Sequence, residues 1–401
     1  MKPCARLTST SARTAVVALV VALVSLTASA CTDDRAEPVT DLDVGFYNDT
    51  TRFDLSATQR GELLDQQETI APPGARAIRF LYRSVDAMDQ PTVVSGVAFR
   101  PTSAALQTGF PLIAFGHPTT GLADSCAPSR RSDATSITGD MVAAGYAVVQ
   151  SDYVGLGTPG VHPYMHGPSE GAAVLDSIVA ARSIDGLDAS DTKVALWGYS
   201  QGGHAVLFAG QDPRAKDLGV VGIIDAAGPS SRSWGIGVER PAGELYPFAA
   251  LLQTSWSATR ELDLALVAKP KVVAASPQLI DDANPRCPDT NAIIVPIPAG
   301  QRQAAPMESE PQWSAALDAM DMPTTGAVAP VFIQHGTADE VVPFAQSVNA
   351  ATILCAAGTV VDLVPLENGS HGLAALPAAG LEWLEGRFAG DPAPSTCPPT
   401  S

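Results

Sequence analysis

At 401 residues, 46% apolar and only 16% charged, the chain can bury a full core, which excludes disorder for most of its length and makes one large domain with an insertion the simplest organisation. Its formal charge of −18 excludes a nucleic-acid partner, because a surface that tracks phosphates needs clustered Lys and Arg. Solubility is the plain use of such a charge.

Lys2, Arg6 and Arg13 precede an apolar stretch from Ala15 to Leu26, and Ala28-Ser29-Ala30 suits signal cleavage, so residues 1–30 read as an export signal, short for a membrane span. Its removal takes three positive and no negative charges and leaves −21. Cys31 follows at once, as in a bacterial lipobox with Ala28 where Leu is usual. Acylation of Cys31 would associate the chain with a membrane through a polar tether and N-terminal extension, residues 31–55; the alternative is plain secretion. The expected location is therefore outside the cytoplasm, as a cell-envelope lipoprotein or a secreted protein. Cys4 leaves with the signal, and Cys126, Cys287, Cys355 and Cys397 remain, an even four that allow three pairings in an oxidising compartment. No two of them have the close spacing of zinc ligands, so no metal and no cofactor are expected.

After the extension, 56–67 reads as an N-terminal helix. Ala75 to Ser84 and Pro91 to Arg100 alternate apolar and polar residues about a polar turn, which predicts an antiparallel hairpin. Phe110 to Phe115 is a buried strand ending in Gly116-His117-Pro118-Thr119-Thr120-Gly121, a loop of the kind that supplies half of an oxyanion hole. Pro118 has no N–H, so the donor falls to Thr119 or Thr120. The bland reading is a surface turn. Asp133 to Ala144 is helical, Tyr146 to Tyr153 is a strand, and Ser169 to Ser183 has helical period. Asp152 ends its strand ahead of any nucleophile and is assigned structural hydrogen bonding.

The apolar run Val194 to Trp197 then stops at Gly198-Tyr199-Ser200-Gln201-Gly202, and a small apolar segment follows that can start a helix. Strand, tight turn with Ser200 at its apex, then helix is a nucleophile elbow; Gly198 and Gly202 are its structural turn, where a Cβ would clash. A bare G-x-S-x-G arises by chance often enough that this setting, and not the motif, carries the reading. Gln201 N–H becomes the first oxyanion donor.

Val220 to Ala227 is the next strand. From 231 to 325 the strand–helix alternation lapses, and this insertion, longer than any ordinary connection, is expected to be a helical cap or lid. Its aromatic and aliphatic residues suit an acyl-chain channel, or simply pack the cap itself. Pro330 to Gln334 resumes the sheet, and the following loop offers Asp339 as the acid that orients an imidazole, with Glu340 and Asp362 as rivals. Val360 to Pro365 is the last strand, and His371 in the next loop is the one histidine beyond the acid; His204 and His335 are read as structural. A helix over 373–388 and a Pro-rich tail close the chain. The order Ser200, Asp339, His371 is that of an α/β-hydrolase, so the expected fold class is α/β: a mostly parallel sheet with helices on both faces, core segments 56–230 and 326–401, and the cap between them.

The stretches 116–129, 151–157, 162–167 (HPYMHG), 197–205 and 335–343 resemble the secretory lipase family, the fungal lipase A type of α/β-hydrolase with exported bacterial relatives, from about residue 75 to the end. The resemblance implies a cap between the elbow and the acid strand, no metal, hydrolysis of carboxylic esters, and the pairs Cys126–Cys287 and Cys355–Cys397. The oxyanion loop departs from fungal members, which carry an acidic residue there. The expected activity is that of an exported serine lipase or esterase on acylglycerols, acting as a monomer on a small-molecule or lipid ester. The alternatives are a short-chain carboxylesterase or acyltransferase and, further off, a peptidase or a non-catalytic surface protein.

Overall fold

The structure is a computed structural model that describes residues 44–102, 109–131, 136–237, 239–240, 244–245, 247–283, 287, 294, 296–372 and 377–399. The expected signal at 1–30 and the lipid-accepting Cys31 lie outside the described residues.

Nine strands form one sheet: β1 Leu63–Thr69, β2 Ala75–Val85, β3 Pro91–Pro101, β4 Phe110–Gly116, β5 Ala147–Ser151, β6 Ala189–Tyr199, β7 Val220–Ala226, then Val331–Gly336 and Val361–Leu366. With the two-residue strands β8 Glu239–Arg240 and β9 Glu244–Leu245 counted in order, these last two are β10 and β11. The sheet order is β1-β2-β3-β5-β4-β6-β7-β10-β11. Pairing is antiparallel from β1 through β3 to β5, and parallel from β5 through β4, β6, β7 and β10 to β11.

The central strands are mostly apolar because both faces are covered. On β4, Leu112 and Ala114 join the cluster under helices α3 (Gly167–Ala181) and α4 (Gln201–Gln211), while Ile113 and Phe115 join Met141 of α2 (Ser136–Ala143) and Trp383 of the helix Ala378–Ala389. The period of two sorts the same strand to two layers. The strands expected at 75–84, 91–100, 110–115, 146–153, 194–197, 220–227, 330–334 and 360–365 are all present, with shifted ends.

Residues 56–67 are not a helix. Leu55–Ala57 is a single 3-10 turn, and β1 pairs antiparallel with β2, Gln66 opposite Phe80 and Glu68 opposite Ile78. The exposed edge of β2 offers a full ladder of backbone hydrogen bonds, and that outweighs the weak helical preference of Gln and Glu. Nor is 44–55 a free tether. Phe46 and Tyr47, in α1 (Val44–Asn48), are buried with Leu81 and Val93, and the Tyr47 hydroxyl donates to Ser129 O at 2.7 Å.

After the short α5 (Arg214–Asp217), the described residues between β7 and β10 form helices α6 (Arg232–Gly237), α7 (Pro247–Arg260), α8 (Pro270–Ala275) and Pro311–Leu317, with 3-10 turns and the β8–β9 hairpin. Trp234, Trp256 and Trp313 are buried in one cluster that also takes in Leu122, Tyr164, Met165 and Val342 from the loops at the sheet's edge. These tryptophans therefore pack the core of the insertion. The structure holds Cys126–Cys287 and Cys355–Cys397 as disulfides, with Cα separations of 5.3 and 5.6 Å. The first joins the insertion to the segment after β4; the second holds the tail, where Thr396 N donates to Val361 O at 2.7 Å beside edge strand β11.

Candidate active site

Ser200 has φ 56° and ψ −118°, a left-handed backbone that a serine adopts only under constraint. The constraint is close approach. A Cβ on Gly198 would overlap the Gly202 carbonyl, and one on Gly202 would overlap the Gly116 carbonyl. The end of β4 is thereby pressed against the first turn of α4, which sets the 117–121 loop beside Ser200 and Gln201.

The other two candidates arrive from loops that are themselves bonded together. After β10, Thr337 N donates to Leu366 O and Ala338 N to Gly369 O, both at 3.0 Å. His371 Nδ1 lies 2.7 Å from Asp339 Oδ2, and its Nε2 lies 3.0 Å from Ser200 Oγ. With Nδ1–H donated to the carboxylate, Nε2 carries the lone pair that accepts the Ser200 O–H. The Tyr199 ring packs 5.2 Å from the His371 ring. The Asp339 side chain has no exposed surface, and that of His371 has 12%.

Asp339 is held by more than its imidazole. Its Oδ1 accepts from Val341 N and Val342 N at 2.8 Å, and Oδ2 lies 3.0 Å from His335 Nε2. Burial alone would raise this carboxyl, but the hydrogen bonds from His335, His371 and the Val342 N–H outweigh it and hold it well below the usual carboxylate range. Glu340 is exposed, and Asp362 sits in β11 opposite Phe332. The geometry brings Asp339, not its rivals, to His371.

Of the expected oxyanion residues, Thr119 Oγ1 lies 2.8 Å from the Tyr164 hydroxyl, and Thr120 Oγ1 is buried without a hydrogen-bond partner among the described residues. Tyr164 is tied to the insertion: its N–H donates to Ser255 Oγ at 2.9 Å, and Trp256 Nε1 donates to its carbonyl at 2.8 Å. Asp152 accepts from Ser129 N, Ser129 Oγ and Ser95 Oγ, a wholly buried structural knot. His204 lies in another polar cluster with Glu170 and His162, and His335 touches the candidate acid.

Sequence reasoning missed Glu170, His162 and the bond from His335 to Asp339. The signal for His162 was present in HPYMHG; Glu170 sits three residues past that stretch inside an ordinary helical pattern, where nothing marks it. Among the described residues no group of three or more His, Cys, Asp or Glu side chains is arranged to hold a metal ion. A hydroxyl bonded to an imidazole that is bonded to a buried carboxylate is the arrangement that makes serine a nucleophile near neutral pH.

Comparison with known proteins gives the family and the fold. The secretory lipase family profile matches residues 129–396. Lipase A of Moesziomyces aphidis is 26% identical over 261 residues, 60% of this chain and 53% of that one. The secreted triacylglycerol lipase LIP2 of Malassezia furfur is 28% identical over 235 residues, covering 54% of this chain and 47% of that one. The chain thus spans about half the length of these relatives. Among solved structures, Candida antarctica lipase A superposes with a TM-score of 0.69 at 20% identity, covering 86% of this chain and 85% of that one. The rice cell wall degrading esterase LipA of Xanthomonas oryzae superposes with 0.67 at 20% identity, covering 83% and 97%. These last two establish the α/β-hydrolase fold, and with the family profile over most of its length the chain belongs to the secretory lipase family.

Proposed function

We propose that this protein hydrolyses carboxylic esters by acyl transfer through Ser200. The observation that carries the reading is the chain from Asp339 Oδ2 through His371 to Ser200 Oγ, at 2.7 and 3.0 Å, on a strained elbow. Ser200 Oγ forms a bond to the ester carbonyl carbon as its proton passes to His371 Nε2, and the imidazolium is stabilised by Asp339. The resulting oxyanion is taken by the N–H of Gln201 and of Thr119 or Thr120. His371 returns its proton to the departing alcohol oxygen as the C–O bond breaks. It then takes a proton from water as the water oxygen bonds to the acyl carbon, and gives that proton to Ser200 Oγ as the C–Oγ bond breaks, which releases the acid and restores Ser200 and His371.

Acylglycerols are the substrate class this reading favours, because two relatives are named lipases and the apolar cluster between β7 and β10 suits a cap over the site. Export follows from the family and from residues 1–30, and attachment through a lipid on Cys31 is the finer version of the same proposal. No helix among the described residues is long and apolar enough to cross a membrane. A glyceryl ester series from acetate to oleate, with released acid titrated and a competing alcohol present, tests substrate and acceptor together. Release from medium or long chains to water is expected. Activity confined to acetate and butyrate would make it a short-chain carboxylesterase, dominant ester exchange an acyltransferase, and no release from any ester by folded protein would end the enzyme reading.

A further inference from the structure

Behind Ser200 lies a set of buried polar side chains that the acyl-transfer steps do not use. Glu170, in the first turn of α3, is 1% exposed, Gln201 2%, His162 1% and His204 0%. Glu170 Oε1 accepts from Gln201 Nε2 at 2.7 Å and from Met165 N at 2.9 Å, and Oε2 accepts from His204 Nδ1 at 3.0 Å. The Gln201 amide nitrogen also lies 2.8 Å from His162 Nε2, so its two hydrogens are divided between a carboxylate and an imidazole. His162 Nδ1 donates to Val154 O at 2.9 Å, which leaves Nε2 as the acceptor. Burial would raise the Glu170 carboxyl, but the bonds from His204 and Gln201 reverse that and keep it ionised, and burial lowers the pKa of His162, in keeping with a neutral ring.

An ion taken out of water costs several kcal/mol before its partners compensate, so a buried carboxylate is a poor device for stability alone. Here its donors come from three places: the residue after Ser200, the first turn of α4 and the 162–166 loop. The Ser200–Gln201 peptide needs such a hold. Ser200 is in a left-handed conformation, and its carbonyl, the other half of that peptide, accepts from His204 N at 3.2 Å, a single long bond in the first turn of α4. The Gln201 side chain, bonded to the same carboxylate that holds His204, is a second hold on that peptide.

Building on the acyl-transfer reading, we infer that Glu170 is a positioning residue that, by gripping the Gln201 amide, aims the Gln201 N–H at the oxyanion. Glu170 touches neither substrate nor nucleophile. Its effect is on the transition state, so it is read in kcat and not in KM.

The test uses the full chain with p-nitrophenyl butyrate and a trifluoromethyl ketone inhibitor whose tetrahedral adduct carries the oxyanion. Glu170→Gln removes the charge, Gln201→Met keeps the backbone N–H and the side-chain length but removes both donations, and the double variant closes the cycle. Each single variant should lower kcat roughly tenfold, less than the ~100-fold or greater cost of losing an oxyanion donor outright, with KM within about twofold and inhibitor affinity falling in parallel. The double variant should be no worse than either single, since both remove one device. Multiplicative losses, or normal kcat with only a lowered melting midpoint, would overturn the inference. Should Glu170→Gln fail to fold, the kcat and KM of Gln201→Met decide alone. Wild-type turnover with an unimpaired Gln201→Met refutes this inference only, whereas a wild type without turnover or labelling at Ser200 refutes the acyl-transfer reading and this inference with it.

Discussion

Asp339 is the residue on which the proposed chemistry turns, because a carboxylate with the correct charge must face His371 Nδ1 at every working pH. Its lowered pKa arises from His335, His371 and the Val342 N–H acting against burial. A group whose folded pKa is depressed stabilises the fold above its unfolded value, about 4, and that contribution is lost progressively as pH falls from there toward the folded value. The acid limb of the activity profile should therefore not report Asp339. Asp339→Asn should lower kcat by roughly 1,000- to 10,000-fold by presenting the wrong hydrogen-bonding face to the imidazole. It should also flatten the loss of melting midpoint between pH 5 and pH 3. Parallel kcat and melting series across that range check both. The three candidate residues were legible in the sequence because strand, turn and chain order mark them. Glu170 and the contact of His335 with Asp339 were not, since each is defined by what lies across from it in space.

Among the elements, the end of β7 carries a liability of opposite sign. Asp225 is wholly buried; its Oδ1 accepts from Gly228 N at 2.8 Å, and its Oδ2 has no partner among the described residues. Burial pushes its pKa up to about 7, with the Gly228 N–H and the nearby His335 and His204 opposing. The unfolded chain loses this proton near pH 4 while the folded chain keeps it until about 7, so the group lowers stability increasingly across that window. Asp225→Asn should thus gain in melting midpoint relative to wild type as pH rises from 4.5 to 8, by about 1–2 °C for each ~1 kcal/mol in a domain of this size. A difference independent of pH would refute the account of Asp225. The parallel strands were readable as apolar runs bounded by turns. The edge strand β1 was not, because Gln66 and Gln67 carry no alternating apolar pattern, and its conformation is imposed by the partner ladder of β2.

For the whole molecule, the insertion is fastened to the sheet at more than one point, by Cys126–Cys287, by the Tyr164 contacts to Ser255 and Trp256, and by Trp234 Nε1 donating to Val341 O at 3.1 Å. The disulfide closes a separation of 161 residues, which the chain-entropy model values at roughly 5 kcal/mol as an upper figure. Replacing Cys126 and Cys287 together by serine should lower the melting midpoint by several degrees or more. Activity per folded molecule at 25 °C should be kept, since Ser200, His371 and Asp339 are held by other bonds. Differential scanning calorimetry beside active-site titration separates the two. The long gap in strand–helix alternation after β7 was legible in the sequence, and the sheet resumes at Val331. The use of its tryptophans was not, because an apolar helix face looks the same in sequence whether it lines a channel or packs a core. The most direct test of the central claim is to quench the protein within milliseconds of mixing with a p-nitrophenyl ester and map the acylated peptide by mass spectrometry. The acyl group should appear on Ser200, ahead of steady-state turnover, and much more slowly in Asp339→Asn; an acyl group on any other residue, or turnover with no acyl-enzyme and undiminished activity in Ser200→Ala, would contradict it.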